Sequence, residues 1–168
     1  MSRFNGHVFF QKHKQPTEHV FIDASLTGFG AQWRHFVYAT PIYGVADKGI
    51  VQLEMLNIII ALKTWGQKWR NSIVVMHCDN WAVTQVVKFG CSRDEFLNLC
   101  LCNIWLLTST LDIELRVVHI KGSHNVVADV LSRMYSNHVV QQDCLRFLQR
   151  NAVWCKVLVS HFVLDTCI

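Results

Sequence analysis

The chain has 168 residues, of which 51% are hydrophobic and 17% are charged, and its formal net charge at pH 7 is +4. This balance excludes a disordered polypeptide and predicts one domain with a sizeable core. A charge of +4 is compatible with a nucleic-acid partner but does not require one.

The N-terminal part of the chain predicts a connector followed by three strands. Residues 1–17, with scattered lysines and a proline, are expected to be a connector. The apolar run 19–24 predicts a strand, and the glycine-containing segment 25–30 predicts a turn. Short strands are then predicted at 31–33 and 36–39. Together these segments predict an antiparallel meander of three strands.

The rest of the chain predicts two more strands among four helices. Apolar residues recur at three- and four-residue steps in the longer helical segments, which indicates one buried face. The predicted helices cover residues 52–69, 80–87, 93–107 and 126–134, and the predicted strands cover 73–78 and 114–120. We therefore expect an α/β fold with a mixed five-stranded sheet and helices on both faces.

Four acidic residues each lie at the boundary of a predicted element. Asp23 and Asp79 follow apolar strands, Glu54 is expected in the first turn of the first helix, and Asp129 lies in the last short helix. A carboxylate beside apolar residues is costly to desolvate unless a cation accompanies it. Ligands in open sheets gather at the carboxyl ends of strands where the strand order changes. The pattern therefore predicts one acidic cluster that holds divalent cations.

The cysteines predict reduced thiols rather than disulfides. Their number is seven, which is odd, and no C-x-x-C pair or secretory leader pattern is found. We therefore expect an intracellular protein, cytoplasmic or nuclear. A zinc site is not expected, because Cys100 and Cys102 are too close in sequence for the usual ligand spacing. No apolar run approaches the ~20 residues that a bilayer span needs, so no membrane segment is expected.

The sequence around each of the four acids forms a motif. The motifs are FIDASLTGFGA (residues 21–31), QLEML (52–56), HCDN (77–80) and HIKGSHNVVADVLSR (119–133). In this order they resemble the four motifs of type 1 ribonuclease H domains. The last motif is most similar to that of gypsy-type and DIRS-type retroelement reverse transcriptases. The resemblance covers residues 18–134 and leaves 135–168 as an unassigned C-terminal tail. Within this tail, residues 141–149 predict a helix, and residues 157–164 form an apolar, strand-like run.

The resemblance implies hydrolysis of the RNA strand of an RNA·DNA hybrid with two Mg²⁺ ions, for which Mn²⁺ is a possible substitute. The implied metal ligands and catalytic residues are Asp23, Glu54, Asp79 and Asp129. Magnesium prefers oxygen ligands, and a pair of cations stabilises both the attacking and the leaving oxygen of a phosphodiester. A reverse transcriptase polymerase domain is an implied partner, and the chain is expected to be part of, or derived from, such a polyprotein.

Further site residues follow from the neighbourhood of the acids. His124 is the histidine of the short loop before Asp129, and the resemblance implies that it helps to release product. Ser25, Gly28 and Asn80 lie next to the acids and are candidate contacts to sugar or phosphate of the hybrid. The tryptophans Trp33, Trp65, Trp69, Trp81 and Trp105 are predicted to pack in the core.

Other interpretations of these residues stay open. Asp23 is also suited to capping a turn, Asp79 to capping a helix, and Glu54 to stabilising a helix N-terminus. Asp129 also fits a solvated helix face. A catalytically inactive, nucleic-acid-binding remnant with the same fold is the alternative function. A transposase or integrase is disfavoured, because in those enzymes the glutamate comes last, on a late helix.

Overall fold

The computed structural model describes residues 15–44, 47–136 and 142–157. The strands are β1 (Gln15–Ala24), β2 (Gly28–Trp33), β3 (Phe36–Pro41), β4 (Ser72–Cys78), β5 (Glu114–His119) and β6 (Val153–Trp154). The helices are α1 (Ile50–Trp65), α2 (Trp81–Phe89), α3 (Glu95–Leu111), α4 (Val126–Ser132) and α5 (Gln142–Asn151). Short 3₁₀ turns cover Gly66–Trp69 and Gly122–His124.

The strands form one mixed sheet in the order β5-β4-β1-β2-β3-β6. The pairs β1–β2 and β2–β3 are antiparallel, whereas β1–β4, β4–β5 and β3–β6 are parallel. This confirms the predicted α/β class and the antiparallel meander, and it places β1 beside β4. The described residues contain six strands rather than the predicted five. The additional strand β6 has only two residues and is defined by its pairing with β3, which is far away in sequence. No local sequence pattern could therefore indicate it.

Several element boundaries differ from the prediction. Strand β2 begins at Gly28, inside the segment 25–30 for which a turn was predicted. Strand β1 begins at Gln15, inside the predicted connector, because its parallel pairing with β4 starts at Gln15 opposite Ser72. Helix α1 begins at Ile50, and no acidic residue lies in its first turn. The expectation that Glu54 occupies that turn is therefore wrong, and a helix N-terminus does not explain the glutamate.

The main core lies between the sheet and helices α1, α2 and α3. An aromatic group fills one end of it, with Trp33 and Trp69 edge to face at 5.5 Å and Trp65 beside both. The prediction of core positions is confirmed for these three tryptophans. It is wrong for Trp81 and Trp105, whose residues are 62% and 47% exposed on the solvent side of their helices.

A second, smaller core covers the other face of the sheet. Val37 of β3, Leu131 of α4 and Leu148 of α5 are buried together there. The helix predicted at 141–149 is observed as α5. Backbone bonds from Val153 N to His35 O (2.7 Å) and from Cys155 N to Val37 O (2.8 Å) then attach the tail to β3. Except for Val157, the strand-like run 157–164 lies outside the described residues.

The six cysteines within the described ranges are free. No helix in the described part of the chain is long and apolar enough to cross a bilayer.

Candidate metal centre

Strands β1 and β4 bring the first and third acids to the same end of the sheet. Phe21 of β1 is paired with His77 of β4, so Asp23 and Asp79 both lie two residues beyond this pair. Helix α1 supplies the second acid. Its Glu54 accepts a hydrogen bond at Oε1 from the backbone N–H of Ala24, at 3.0 Å. Three elements distant in sequence therefore converge at one point.

Helix α4 adds the fourth acid by packing directly on strand β2. A Cβ atom on Gly30 would lie 2.5 Å from the carbonyl oxygen of Ala128 and would also collide with the backbone nitrogen of Ser132. Only glycine at this position lets the helix come so near. The hydroxyl of Ser132 donates a hydrogen bond to Oδ2 of Asp23, which attaches α4 to the acidic cluster. Asp129 lies one turn before Ser132.

Three of the four acids line an open cavity of about 680 Å³, and Asp129 is not part of that lining. Its walls include Asp23, Glu54 and Asp79, together with Asn80, Trp81 and Arg133. Asp23 and Glu54 are buried, whereas Asp79 and Asp129 are partly exposed. The cavity is thus acidic at its base and accessible from solvent.

The two buried acids of the cluster resist ionisation when no cation is present. The pKa of Asp23 is raised to about 7, mainly by burial and also by the charges of Asp79 and Asp129, against the lowering effect of the Ser132 hydrogen bond. Burial also raises the pKa of Glu54 well above its usual value, and the charges of Asp23 and Asp79 act in the same direction. Carboxylates that repel one another in this way take up protons unless cations are present.

The donor atoms of the cluster suit a hard divalent cation. Glu54, Cys78 and Asp79 each offer one ligand atom within 4.8 Å of the others. The Cys78 thiol donates to Oε2 of Glu54 at 3.7 Å, and burial keeps its pKa far above the ordinary value. The thiol therefore stays protonated, and the available ligands are carboxylate oxygens, which Mg²⁺ and Mn²⁺ prefer.

Two asparagines support the site and were not predicted. The side chain of Asn57 is fully buried and donates to the carbonyl oxygens of Asp23 (2.7 Å) and Gly30 (3.0 Å). Asn125 donates to the carbonyl oxygen of Ile22 at 2.8 Å. The one available sequence signal was a polar residue at position 57 within the apolar run of the first helix.

The predicted substrate contacts have different surroundings. Asn80 lines the cavity and caps α2 by accepting from the backbone N–H of Ala82 at 3.0 Å. Ser25 also lines it, but its hydroxyl donates to the carbonyl oxygen of Ser132 at 2.8 Å. Gly28 is buried, and an added Cβ would lie 2.7 Å from that same oxygen. Ser25 and Gly28 thus have packing roles, and substrate contact by the three residues stays a prediction.

His124 is not part of the lining of the acidic cavity, whereas Arg133 is. His124 is exposed in the second 3₁₀ turn and lines a different cavity, of about 140 Å³, with Phe21 and Gln32. Its role in product release stays a prediction. Arg133, which was not singled out, lines the acidic cavity, and its Nε lies 2.5 Å from Oδ1 of Asp129.

Comparison with known proteins identifies the fold. No protein-family model and no curated protein matches the chain. Among solved structures, ribonuclease H1 from the halophilic archaeon Halobacterium salinarum NRC-1 is 16% identical, with a TM-score of 0.53 over 68% of this chain and 93% of that one. LC11-RNase H1 in complex with an RNA/DNA hybrid is 17% identical, with a TM-score of 0.57 over 68% and 92%. The N-terminal RNase H domain of a Mycobacterium tuberculosis protein is 13% identical, with a TM-score of 0.54 over 68% and 95%.

At these identities the comparison establishes the fold alone. The chain has the ribonuclease H fold, as its motifs predicted.

Proposed function

We propose that the chain is a metal-dependent endonuclease that hydrolyses the RNA strand of RNA·DNA hybrids. The observation that carries this proposal is the convergence of Asp23, Glu54 and Asp79, from three distant elements, on an open cavity, with Asp129 near enough that its charge acts on Asp23. Likeness in fold to ribonucleases H1 supports it, and one of these proteins was solved with an RNA/DNA hybrid.

The four acids are the proposed ligands of two Mg²⁺ ions, with Mn²⁺ as a substitute. The fit is supported by the raised pKa values of the buried Asp23 and Glu54 and by the carboxylate oxygens that Glu54 and Asp79 offer within 4.8 Å of each other. When bound, the cations supply an activated water and stabilise the oxygen that leaves the phosphodiester.

The protein's own residues hold the carboxylates in place. The backbone N–H of Ala24 fixes Glu54, and the Ser132 hydroxyl fixes Asp23, so these buried acids lose little freedom when a cation arrives. Trp81, which is exposed at the cavity wall, offers a ring face and edge to the sugars or bases of a nucleic acid. Asn80 beside it offers polar contacts to sugar or phosphate.

We further propose that this domain comes from a gypsy-type or DIRS-type reverse transcriptase, with residues 18–134 as its core. The support is the closing motif at 119–133, with its short loop before Asp129. This origin makes a polymerase domain the expected partner in a longer polyprotein.

An inactive remnant that binds hybrids is the second candidate. It is favoured by the position of His124 in the lining of a different cavity, because that histidine is the expected aid to product release.

Cleavage of a strand-labelled hybrid separates the two candidates. Purified protein is incubated with Mg²⁺ and an RNA·DNA hybrid labelled on either strand, beside duplex DNA and duplex RNA. Wild type and the control Asp143→Asn, which changes a fully exposed acid on α5, should cut only the hybrid's RNA strand, whereas Asp79→Asn should not. If wild type binds the hybrid without cutting it, the remnant is favoured. Cleavage that persists in Asp79→Asn would contradict the assigned centre.

A further inference from the structure

Arg133 already occupies one of the carboxylates proposed as metal ligands. Its Nε lies 2.5 Å from Oδ1 of Asp129, one helical turn away on α4. The side chain of Arg133 is 55% exposed and that of Asp129 is 40% exposed, and the arginine lines the acidic cavity. A cation and a guanidinium therefore both have access to the same carboxylate.

Arg133 also lies within the field of the other acids. The hydrogen bond to Asp129 raises its pKa above the usual value, and the charges of Asp129, Asp23 and Asp79 add to this effect. The positive charge of Arg133 in turn lowers the pKa of Asp23. The guanidinium thus offsets part of the negative charge of the whole cluster.

An ordinary surface ion pair on the same chain provides a contrast. On α5, Arg146 and Asp143 are 3.6 Å apart, with side chains 70% and 100% exposed, and neither residue lines the acidic cavity. Such a pair contributes little to stability and nothing to a cation site.

We propose that Arg133 is a built-in counter-ion that competes with the divalent cation for Asp129 and so weakens and adjusts the cation affinity of the centre. The inference rests on the proposed metal site. A cation that binds Asp129 must bind a carboxylate whose Oδ1 already accepts a hydrogen bond from Arg133. Cation binding therefore includes the cost of breaking this pair and of approaching a positive charge.

Removal of the arginine charge should tighten cation binding. We expect Arg133→Gln to bind Mn²⁺ about fivefold more tightly, because the ion pair at Asp129 no longer has to be broken and a contact pair worth about 1 kcal/mol corresponds to about that factor. Arg133→Lys, which keeps the charge but loses the planar donor fork, should fall between Arg133→Gln and wild type. Free Mn²⁺ is measured by electron paramagnetic resonance in a titration of the full chain without nucleic acid.

A double-mutant cycle distinguishes competition at Asp129 from a general effect of charge. In an Asp129→Asn background the arginine has no carboxylate to occupy, so Arg133→Gln should then change Mn²⁺ affinity much less. Arg146→Gln, which removes one positive charge from α5, serves as the matched control and should leave the affinity unchanged. Thermal unfolding without metal verifies that every variant is folded.

Three outcomes would count against the inference. Unchanged or weaker Mn²⁺ binding by Arg133→Gln overturns it while leaving the metal site intact. A full effect of Arg133→Gln in the Asp129→Asn background overturns the competition. A wild-type chain that binds no Mn²⁺ overturns both the inference and the proposed metal site. Because no hybrid is present, a failure to cleave RNA does not affect the result.

Discussion

The Ser132 hydroxyl donates a hydrogen bond to Oδ2 of Asp23, although 109 positions separate the two residues in the chain. The same hydroxyl oxygen lies 2.9 Å from the carbonyl oxygen of Asp129. A hydroxyl has a single proton, so it donates to one of these acceptors at a time. If Asp23 is protonated, it can donate to Ser132, which is then free to donate to Asp129. Ser132 thus connects the charge state of Asp23 with the backbone of α4.

Ser132→Ala should shift cation binding to higher pH. The hydrogen bond from Ser132 lowers the pKa of Asp23, so its loss raises that pKa above about 7. Protons then compete with Mn²⁺ more strongly, and the midpoint of a plot of Mn²⁺ affinity against pH should rise by about one unit. Ser109→Ala, at an exposed position on α3, is the matched control. A variant profile that superimposes on wild type would contradict the role given to this hydroxyl.

The metal-free protein should become less stable as pH rises from about 4 to about 7. The pKa of Asp23 is raised from 3.8 to about 7 in the folded state, so the folded chain holds a proton that the unfolded chain has lost. The stability linked to this proton is fully present below the unfolded pKa and is lost as pH rises through the folded pKa. The loss is on the order of a few kcal/mol.

Urea unfolding with a chelator at several pH values tests this dependence. Asp23→Asn should flatten the slope between pH 5 and pH 8, whereas Asp143→Asn on the exposed surface of α5 should leave it as in wild type. Added Mg²⁺ should restore more stability at pH 8 than at pH 5, because the carboxylates are then ionised. Equal slopes in wild type and Asp23→Asn would show that Asp23 is not the group responsible.

Two of the four acids, Asp23 and Asp79, could be predicted from local boundaries, whereas Glu54 and Asp129 lie within α1 and α4 and were indicated by their motifs. Asp23 and Asp79 end apolar runs, and this pattern is visible without knowledge of the fold. Their supporting partners could not be predicted in the same way. Ser132 and Asn57 reach the site only because α4 packs on β2 and α1 crosses β1. Strand β6 depends likewise on a partner more than a hundred positions away.

Gly30→Ala should displace α4 and weaken the metal centre. The added methyl group would collide with the backbone of Ala128 and Ser132, which cannot yield without moving the helix. We expect a loss of about 1–3 kcal/mol in the free energy of unfolding, together with weaker Mn²⁺ binding. Gly49→Ala is the control, since a Cβ atom added there would have no neighbour within 4 Å and the φ of Gly49 is negative. Equal effects of the two substitutions would remove the case for a close helix–strand contact.

Leu148→Ala should destabilise the whole domain if the C-terminal tail is part of one folding unit with residues 18–134. Leu148 is 3% exposed and packs with Val37 and Leu131, and Leu131 adjoins Ser132. Deleting its side chain leaves a cavity in the second core, at a cost of about 2–5 kcal/mol in urea unfolding. Phe147→Ala, at a neighbouring position 63% exposed, should change stability by no more than about 0.5 kcal/mol. If Leu148→Ala lowers the free energy of unfolding as little as Phe147→Ala does, α5 does not support α4 in solution. A large decrease for Leu148→Ala alone would show that the folding unit includes residues beyond 134.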